Sequence, residues 1–169
     1  KVLEILGAEA THEVHNHHNF AWLEEHFGRS YWVIRKGCTP ARPGQEGFVG
    51  GSMGDESVIL EGVESPENEE ALFSTVHGAG RVMSRSQAAG QFRRGKQVKP
   101  GLVDWPAVQA RLREQGIVLV GGGADEAPEV YKRLPDVLAA HGGTIRVKHR
   151  LRPLGVAMAG RDVHDPYKD

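Results

Sequence analysis

The segment from Thr144 to Leu151 alternates apolar and basic residues, and this alternation constrains the fold more than any other feature of the chain. A period of two is typical of a β-strand with one buried face and one face in solvent. The face predicted to be buried carries Ile145, Val147, His149 and Leu151, and the opposite face carries Arg146, Lys148, Arg150 and Arg152. We therefore expect a sheet with a basic outer face.

Other segments indicate a mixture of strands and helices. Clusters of β-branched, aromatic and other apolar residues predict strands at Tyr31 to Arg35, Ser57 to Val63 and Ile117 to Val120.

Three segments carry helix signals. Asp104, as an N-cap, predicts a helix over residues 105–115. Ser65-Pro66 predicts a second helix that ends shortly before residue 77. Pro128 predicts a third helix, which Pro135 would kink or interrupt.

Length and composition predict one soluble domain over residues 1–169. The single cysteine, Cys38, excludes a disulfide framework and favours a reducing compartment. No apolar run approaches the roughly 20 residues of a membrane span, and the first residues form too short and too acidic a segment for a signal peptide. We therefore expect a cytoplasmic protein that engages no membrane.

Charge is segregated along the chain although the formal net charge is only -1. Seven acidic and no basic residues lie from Asp55 to Glu70, whereas six basic and no acidic residues lie from Arg81 to Lys99. Most charge runs are solvated faces, but a basic surface beside an anion-binding loop favours a polyanionic partner.

The run His77-Gly78-Ala79-Gly80-Arg81 is the segment most indicative of function. Its glycines allow close approach of the backbone to a ligand, and the N-terminus of a helix following them would favour an anion. A neutral imidazole can attack phosphorus when cations neutralise the phosphoryl oxygens, and Arg81 and Arg85 are spaced one helical turn apart. The alternative is a glycine turn that only connects a strand to a helix.

Three other segments are weaker candidates. Four histidines lie within seven residues: His12, His15, His17 and His18. At most one or two of them are expected to bind a metal, with the others at the surface. The run Gly121 to Gly123 lacks the final glycine of a dinucleotide-binding loop, since position 126 is Glu126. The turn from Gly50 to Gly54, followed by Ser57, can hold a polar ligand, although such turns are more often structural.

Taken in order, these segments resemble the signatures of the RtcB-type RNA-splicing ligases. The matching motifs are His17-His18-Asn19-Phe20, Arg35-Lys36-Gly37, Gly51-Ser52-Met53-Gly54 with Ser57, His77 to Arg85, Asp125-Glu126-x-Pro128-x-x-Tyr131-Lys132, and Leu151-Arg152-Pro153-Leu154. The resemblance implies an α+β fold with mixed β-sheets flanked by helices, of which this chain is an incomplete C-terminal portion.

The resemblance also implies a GTP- and manganese-dependent RNA ligase acting in tRNA splicing or RNA repair. His77 would attack the α-phosphate of GTP and form a histidine–GMP adduct beside a two-manganese centre. Guanylate would pass to an RNA 3'-phosphate, produced where necessary from a 2',3'-cyclic phosphate, and a 5'-hydroxyl would then close the phosphodiester. The implied partners are tRNA halves or broken RNA ends, GTP, and archease as an activator.

Carried over residue by residue, the resemblance makes His18 a manganese ligand and places Asn19 beside the nucleotide. The residues that would surround GMP are Gly50, Gly51, Ser52, Met53, Ser57, His77, Gly78, Ala79 and Gly80. Tyr131 would stack on guanine, and Lys36, Arg81 and Arg85 would face phosphates of the substrate or of RNA.

The chain departs from the family chiefly in what it lacks. The family's earlier segment supplies further metal and nucleotide ligands, among them a cysteine that Cys38 comes too late in the chain to replace. The alternative is therefore that the isolated chain is a non-catalytic module that binds a nucleotide or RNA phosphates. Gly50 replaces a usual proline, and Ala159 stands where many members place a lysine against guanine; Lys168 could reach back in its place.

Overall fold

The structure is a computed structural model that describes residues 1–94 and 96–159, so Lys168 lies outside the described residues. The helices are α1 (Val2–Leu6), α2 (Pro66–Glu70), α3 (Arg85–Ala89), α4 (Trp105–Glu114) and α5 (Leu134–Ala139). The strands are β1 (Asn19–His26), β2 (Arg29–Lys36), β3 (Cys38–Pro40), β4 (Glu46–Val49), β5 (Ser57–Gly62), β6 (Ser74–Val76), β7 (Gly90–Arg93), β8 (Lys96–Pro100), β9 (Val118–Val120), β10 (Ile145–Leu151) and β11 (Gly155–Ala157). Short 3-10 helices span Ala124–Glu126 and Pro128–Val130.

The described strands form several small sheets rather than one large one. β10, β5 and β4 make a three-stranded antiparallel sheet, and β1–β2, β3–β6 and β7–β8 are antiparallel pairs. β9 and β11 pair in parallel. This combination of antiparallel and parallel pairs with helices confirms the predicted α+β class. None of the described helices has the length and apolarity needed to cross a membrane.

The predicted alternation of β10 holds for only half of the strand. Val147 lies opposite Leu60, but the next registered pair is His149 with Ile59, so the strand contains a β-bulge at this point. An extra residue in one strand exchanges the faces of all residues beyond it. The prediction that His149 shares the buried face of Val147 is therefore wrong, and His149 is exposed.

Carboxylates of β4 and β5 partly neutralise the predicted basic face of β10. Arg146 donates to Glu61, and Lys148 lies 2.5 Å from a carboxylate oxygen of Glu46. The hydrogen bond from Lys148 lowers the pKa of Glu46, and the hydrogen bond from Arg146 lowers that of Glu61. The basic face of β10 is thus less available to a polyanion than its sequence indicates.

Two hydrophobic clusters form the interior. The first joins the β10–β5–β4 sheet to α5 and contains Val49, Val58, Leu60, Leu134, Leu138 and Ile145 with Ala41 and Ala79. The second lies around α4 and contains Val108, Leu112, Ile117 and Val130 with Met53, Ala88 and Ala127. Tyr131 packs against both clusters, which places it at their junction.

Helix α4 confirms its prediction, whereas two other helices differ from expectation. The Asp104 carboxylate accepts the backbone N–H of Ala107 and caps α4 as expected. Helix α2 ends at Glu70, because the next residues include two with positive φ that reverse the chain, and β6 then precedes residue 77.

The segment beginning at Pro128 forms only a 3-10 turn, after which Tyr131 is extended. Pro135 does not kink a helix but lies in the first turn of α5, where the missing N–H costs no hydrogen bond. The run after β9 also forms no dinucleotide loop. A Cβ on Gly121 would lie 2.0 Å from the carbonyl oxygen of Met158, so the absent side chain serves backbone packing.

Candidate active site

His77 directly follows β6, and the β3–β6 pair fixes its backbone. Val76 lies opposite Cys38 in this pair, which brings the segment before β3 against the His77 ring. A Cβ on Gly37 would lie 3.5 Å from Nε2 of His77. Gly37 also has a positive φ of 75°, so a larger residue here would be strained as well as lying over the imidazole.

The imidazole of His18 stacks on that of His77, with ring centroids 5.1 Å apart and planes 13° from parallel. The backbone N–H of Gly37 donates to the carbonyl oxygen of His18 at 3.0 Å, which ties β1 to this side of the loop. Burial lowers the pKa of His77, and the positive charge of a protonated His18 lowers it further. The lowered pKa favours the neutral imidazole, whose nitrogen lone pair is available to an electrophile.

Two further predicted residues lie beside this pair of histidines. Asn19 and Lys36 are opposite each other in the β1–β2 register, directly next to His18 and Gly37 in the chain. Lys36 is exposed and forms no ion pair with the described residues.

The Gly50 turn flanks the other side of the His77 loop. Gly50 and Gly78 form an isolated parallel bridge, and a Cβ on Gly78 would lie 3.5 Å from the carbonyl oxygen of Gly50. The N–H of Gly51 donates to Ser57 Oγ at 3.3 Å, so this hydroxyl lies within the predicted turn. The Ser52 hydroxyl donates to Asp55 at 2.9 Å.

Met53 and Ala79 were predicted to surround GMP, but their side chains are buried in the two hydrophobic clusters. Ala79 still lines a groove together with His77, so the place of both residues around GMP stays a prediction. Sequence proximity to a glycine turn does not reveal which side chain faces the interior.

Arg81 and Tyr131 face each other in an isolated antiparallel bridge. The guanidinium lies 5.1 Å from the ring centroid of Tyr131 and donates to its hydroxyl at 2.9 Å. It also donates to the carbonyl oxygen of Asp125 at 2.7 Å. Tyr131 donates in turn to Glu126, and burial, followed by this carboxylate, raises the pKa of Tyr131 to about 12.

Arg85 is held by the same acidic segment, because it pairs with Asp125 at 3.0 Å and with Glu126. The predicted phosphate-facing arginines thus brace the loop against residues 125–131 in this structure. Their predicted contacts with phosphate need these side chains to exchange carboxylate partners for phosphate.

The helix expected after the loop is α3, and attraction of an anion by its N-terminus stays a prediction. Helix α3 begins only at Arg85, and Arg81 lies outside it. Ser84 and Gln87 form a reciprocal capping box. The Ser84 hydroxyl accepts the backbone N–H of Gln87, and the side-chain oxygen of Gln87 accepts the backbone N–H of Ser84, so two N–H groups at this terminus already have partners.

A buried charge cluster, which was not among the sequence predictions, supports the strand leading to His77. Arg35 is 1% exposed and binds Glu24 through both terminal nitrogens. It also donates to the carbonyl oxygen of Leu72 at 2.8 Å and to Ser74 Oγ at 2.9 Å. Since Leu72 has a positive φ of 53°, Arg35 holds a strained turn directly before β6. The sequence signal for this cluster is Arg35 itself, a charged residue that shares the buried face of its strand with the apolar Val33.

A groove of about 590 Å³, which we call the α5 groove, separates the His77 loop from helix α5. His77 and Gly80 line one wall, Val137 and Ala140 line the other, and Lys132 borders it. Lys132 ends the motif that begins at Asp125, but the resemblance to the family implies no role for it.

His12, His15 and His17 do not join the site. His12 lies 2.5 Å from Glu46, and His15 and His17 make an edge contact with each other. The expectation that at most one or two of the four bind a metal stays a prediction. Within the part of the chain that the structure describes, no group of three or more metal-ligating side chains is present. His18 therefore does not have enough companions there for a manganese site.

Comparisons with known proteins agree with the motifs. A family model described as tRNA-splicing ligase RtcB matches residues 2–159. An RNA-splicing ligase RtcB of Escherichia coli (strain K12) is 38% identical over 143 residues, covering 85% of this chain and 32% of that relative. A tRNA-splicing ligase RtcB of Archaeoglobus fulgidus is 39% identical over 171 aligned residues, covering 90% of this chain and 33% of that relative.

A longer relative shows the same pattern. The tRNA-splicing ligase RtcB of Pyrococcus horikoshii is 35% identical over 171 aligned residues, covering 90% of this chain and 18% of its own length. The chain thus spans about a third or less of these relatives. The match over nearly all described residues, together with the His18–His77 site, shows that the chain belongs to the RtcB family of RNA-splicing ligases.

Proposed function

We propose that this chain carries the nucleophile of a GTP-dependent RNA ligase, with His77 as the guanylate carrier. The observation that supports this most directly is the position of the His77 imidazole, which stacks on His18 and lies between Gly37 and the Gly50 turn, where burial lowers its pKa. An uncharged ring nitrogen is a nucleophile, whereas a protonated one is not. Lys36 supplies a nearby cation without a competing carboxylate among the described residues.

In the proposed reaction, a ring nitrogen of His77 forms a bond to the α-phosphorus of GTP, and the bond to the leaving pyrophosphate breaks. An oxygen of an RNA 3'-phosphate then bonds to the same phosphorus, and the N–P electron pair returns to the imidazole. The 5'-hydroxyl finally attacks the activated 3'-phosphate, loses its proton to solvent and releases GMP. Charge alignment dominates each of these displacements.

The described residues do not by themselves fit a manganese centre. His18 is the ligand proposed from this chain, and the other ligands would have to come from outside the described residues. Archease, as an activator, and tRNA halves or broken RNA ends, as substrates, belong to the same proposal.

The second candidate is a binding module that holds a nucleotide or RNA phosphates without catalysis. The specific observation in its favour is the incomplete set of metal-ligating side chains among the described residues, in a chain that spans about a third of its E. coli relative. The two candidates differ in whether a covalent adduct forms.

The test is intact-mass analysis after incubation with GTP and manganese. The chain is used alone and together with the part of the E. coli relative that it does not match. We expect an acid-labile guanylate adduct in the combined sample and none in His77→Ala, with the exposed His149→Ala as the matched histidine control. An adduct that persists in His77→Ala refutes the nucleophile, and no adduct in the combined sample favours the binding module.

A further inference from the structure

The cations around the His77 loop fall into two classes. Arg81 and Arg85 are committed to Tyr131, Asp125 and Glu126. Lys132, by contrast, is exposed and forms no ion pair or side-chain hydrogen bond with the described residues. A cation without a competing carboxylate binds a phosphate at lower cost than one that must first leave its partner.

The backbone holds Lys132 next to the loop. Its N–H donates to the carbonyl oxygen of Gly80 at 3.0 Å, and the N–H of Val82 donates to the carbonyl oxygen of Val130 at 2.8 Å. These bonds join the His77 loop to the segment before α5. The position of Lys132 at the border of the α5 groove is therefore set by the same contacts that shape the loop.

The α5 groove suits one strand of nucleic acid better than it suits the guanine nucleotide, which is proposed to lie at the Gly50 turn. His77 lines it, whereas Gly50, Gly51, Ser52 and Ser57 do not. Its volume of about 590 Å³ lies within the usual range of ligand pockets, and Val137 and Ala140 offer an apolar wall to a base. His141 and Arg133 add polar and cationic groups along its length, and Asp136 adds one carboxylate. Arg133 is already paired with Asp55 at 3.9 Å, which leaves Lys132 as the unpaired cation among the described residues of the groove.

We propose that the α5 groove is the subsite for the terminal nucleotides of the RNA strand, with Lys132 as a phosphate contact. This inference rests on the proposed function, in which His77 carries guanylate. If the guanylate occupies the Gly50 side of His77, the strand that receives it must approach from another side, and the α5 groove is an approach that His77 itself lines.

The test measures binding of a fluorescent single-stranded RNA with a 3'-phosphate to the 169-residue chain by anisotropy, over a range of salt concentrations. We expect Lys132→Met to weaken binding about tenfold at low salt, as for one lost charge-assisted contact. The slope of log K against log salt should fall in magnitude by about 0.7, the value for one phosphate on a single strand. Lys132→Arg should retain most of the affinity.

Arg29→Met, at the exposed start of β2, is the control for a general loss of positive charge. An equal effect of Arg29→Met and Lys132→Met, or no RNA binding by the chain, overturns the assignment. Circular-dichroism melting checks that both variants fold.

A second assay separates this inference from the proposed function. It measures guanylate adduct formation by the chain together with the part of the E. coli relative that the chain does not match. Lys132→Met should leave the adduct unchanged, and its loss would assign Lys132 to GTP and overturn the RNA subsite. If no variant forms an adduct while RNA binding still depends on Lys132, the proposed function fails and the subsite stands.

Discussion

Replacement of Arg35 by methionine tests the claim that a buried charge cluster supports the active-site loop. Met has a similar length but no charge, so Arg35→Met leaves Glu24, which is 9% exposed, without its bidentate partner. Removing one partner of a buried ion pair costs about 3–5 kcal/mol, because the other charge stays buried. Arg42 and His26 remain within 3.0 Å of Glu24, so we expect the lower end of this range.

The pKa of the Glu24 carboxylate reflects the combined effect of its partners. The hydrogen bond from Arg35, helped by His26 and opposed by burial, lowers the pKa of Glu24 from 4.5 to about 2. A carboxyl with a lowered pKa stabilises the folded state above pH 4.5 and loses this contribution as the pH falls towards 2. The shift corresponds to roughly 3 kcal/mol for all partners together.

The assay is urea unfolding of the chain at pH 7 and at steps down to pH 3, with Arg42→Met as the control. The Arg42 side chain is 46% exposed and makes one contact with Glu24, so its replacement should cost less than about 1 kcal/mol. The difference between wild type and Arg35→Met should shrink with acid. A loss below about 1 kcal/mol, equal losses in both variants, or a difference that grows with acid would refute the reasoning.

Three further predictions address the site and its supports. Guanylate adduct formation should be half-maximal below pH 6.5, since burial and then His18 lower the pKa of His77 beneath that value; a rate profile with its midpoint at or above 6.5 would contradict this. Ser84→Ala removes the cap of α3 and should lower the free energy of unfolding by about 1 kcal/mol, and an unchanged urea midpoint would show that the cap contributes nothing. Gly51→Ala would place a Cβ 2.3 Å from the carbonyl oxygen of Glu56, so it should reduce stability by more than about 1 kcal/mol, whereas Gly142→Ala, with 3.5 Å to its nearest neighbour, should not.

Local features of the sequence determined the elements whose signals are themselves local. Asp104 and Ser65 mark the starts of α4 and α2, because a side-chain cap needs only a partner three residues away. The motif around His77 likewise indicated an anion-binding loop and a resemblance to the RtcB family, since its glycines and its proposed nucleophile are contiguous.

Tertiary structure decided the features that depend on partners far apart in the chain. Arg146 and Glu61 are separated by 85 residues and Arg81 and Tyr131 by 50, so no local pattern shows that these cations have partners. The bulge in β10 is likewise a property of its pairing with β5 and not of its own alternation. The sequence by itself determined which chemical groups lie in the loop. Only the fold decided that His18 stacks on His77, that Arg81 and Arg85 are engaged, and that Lys132 is left free among the described residues.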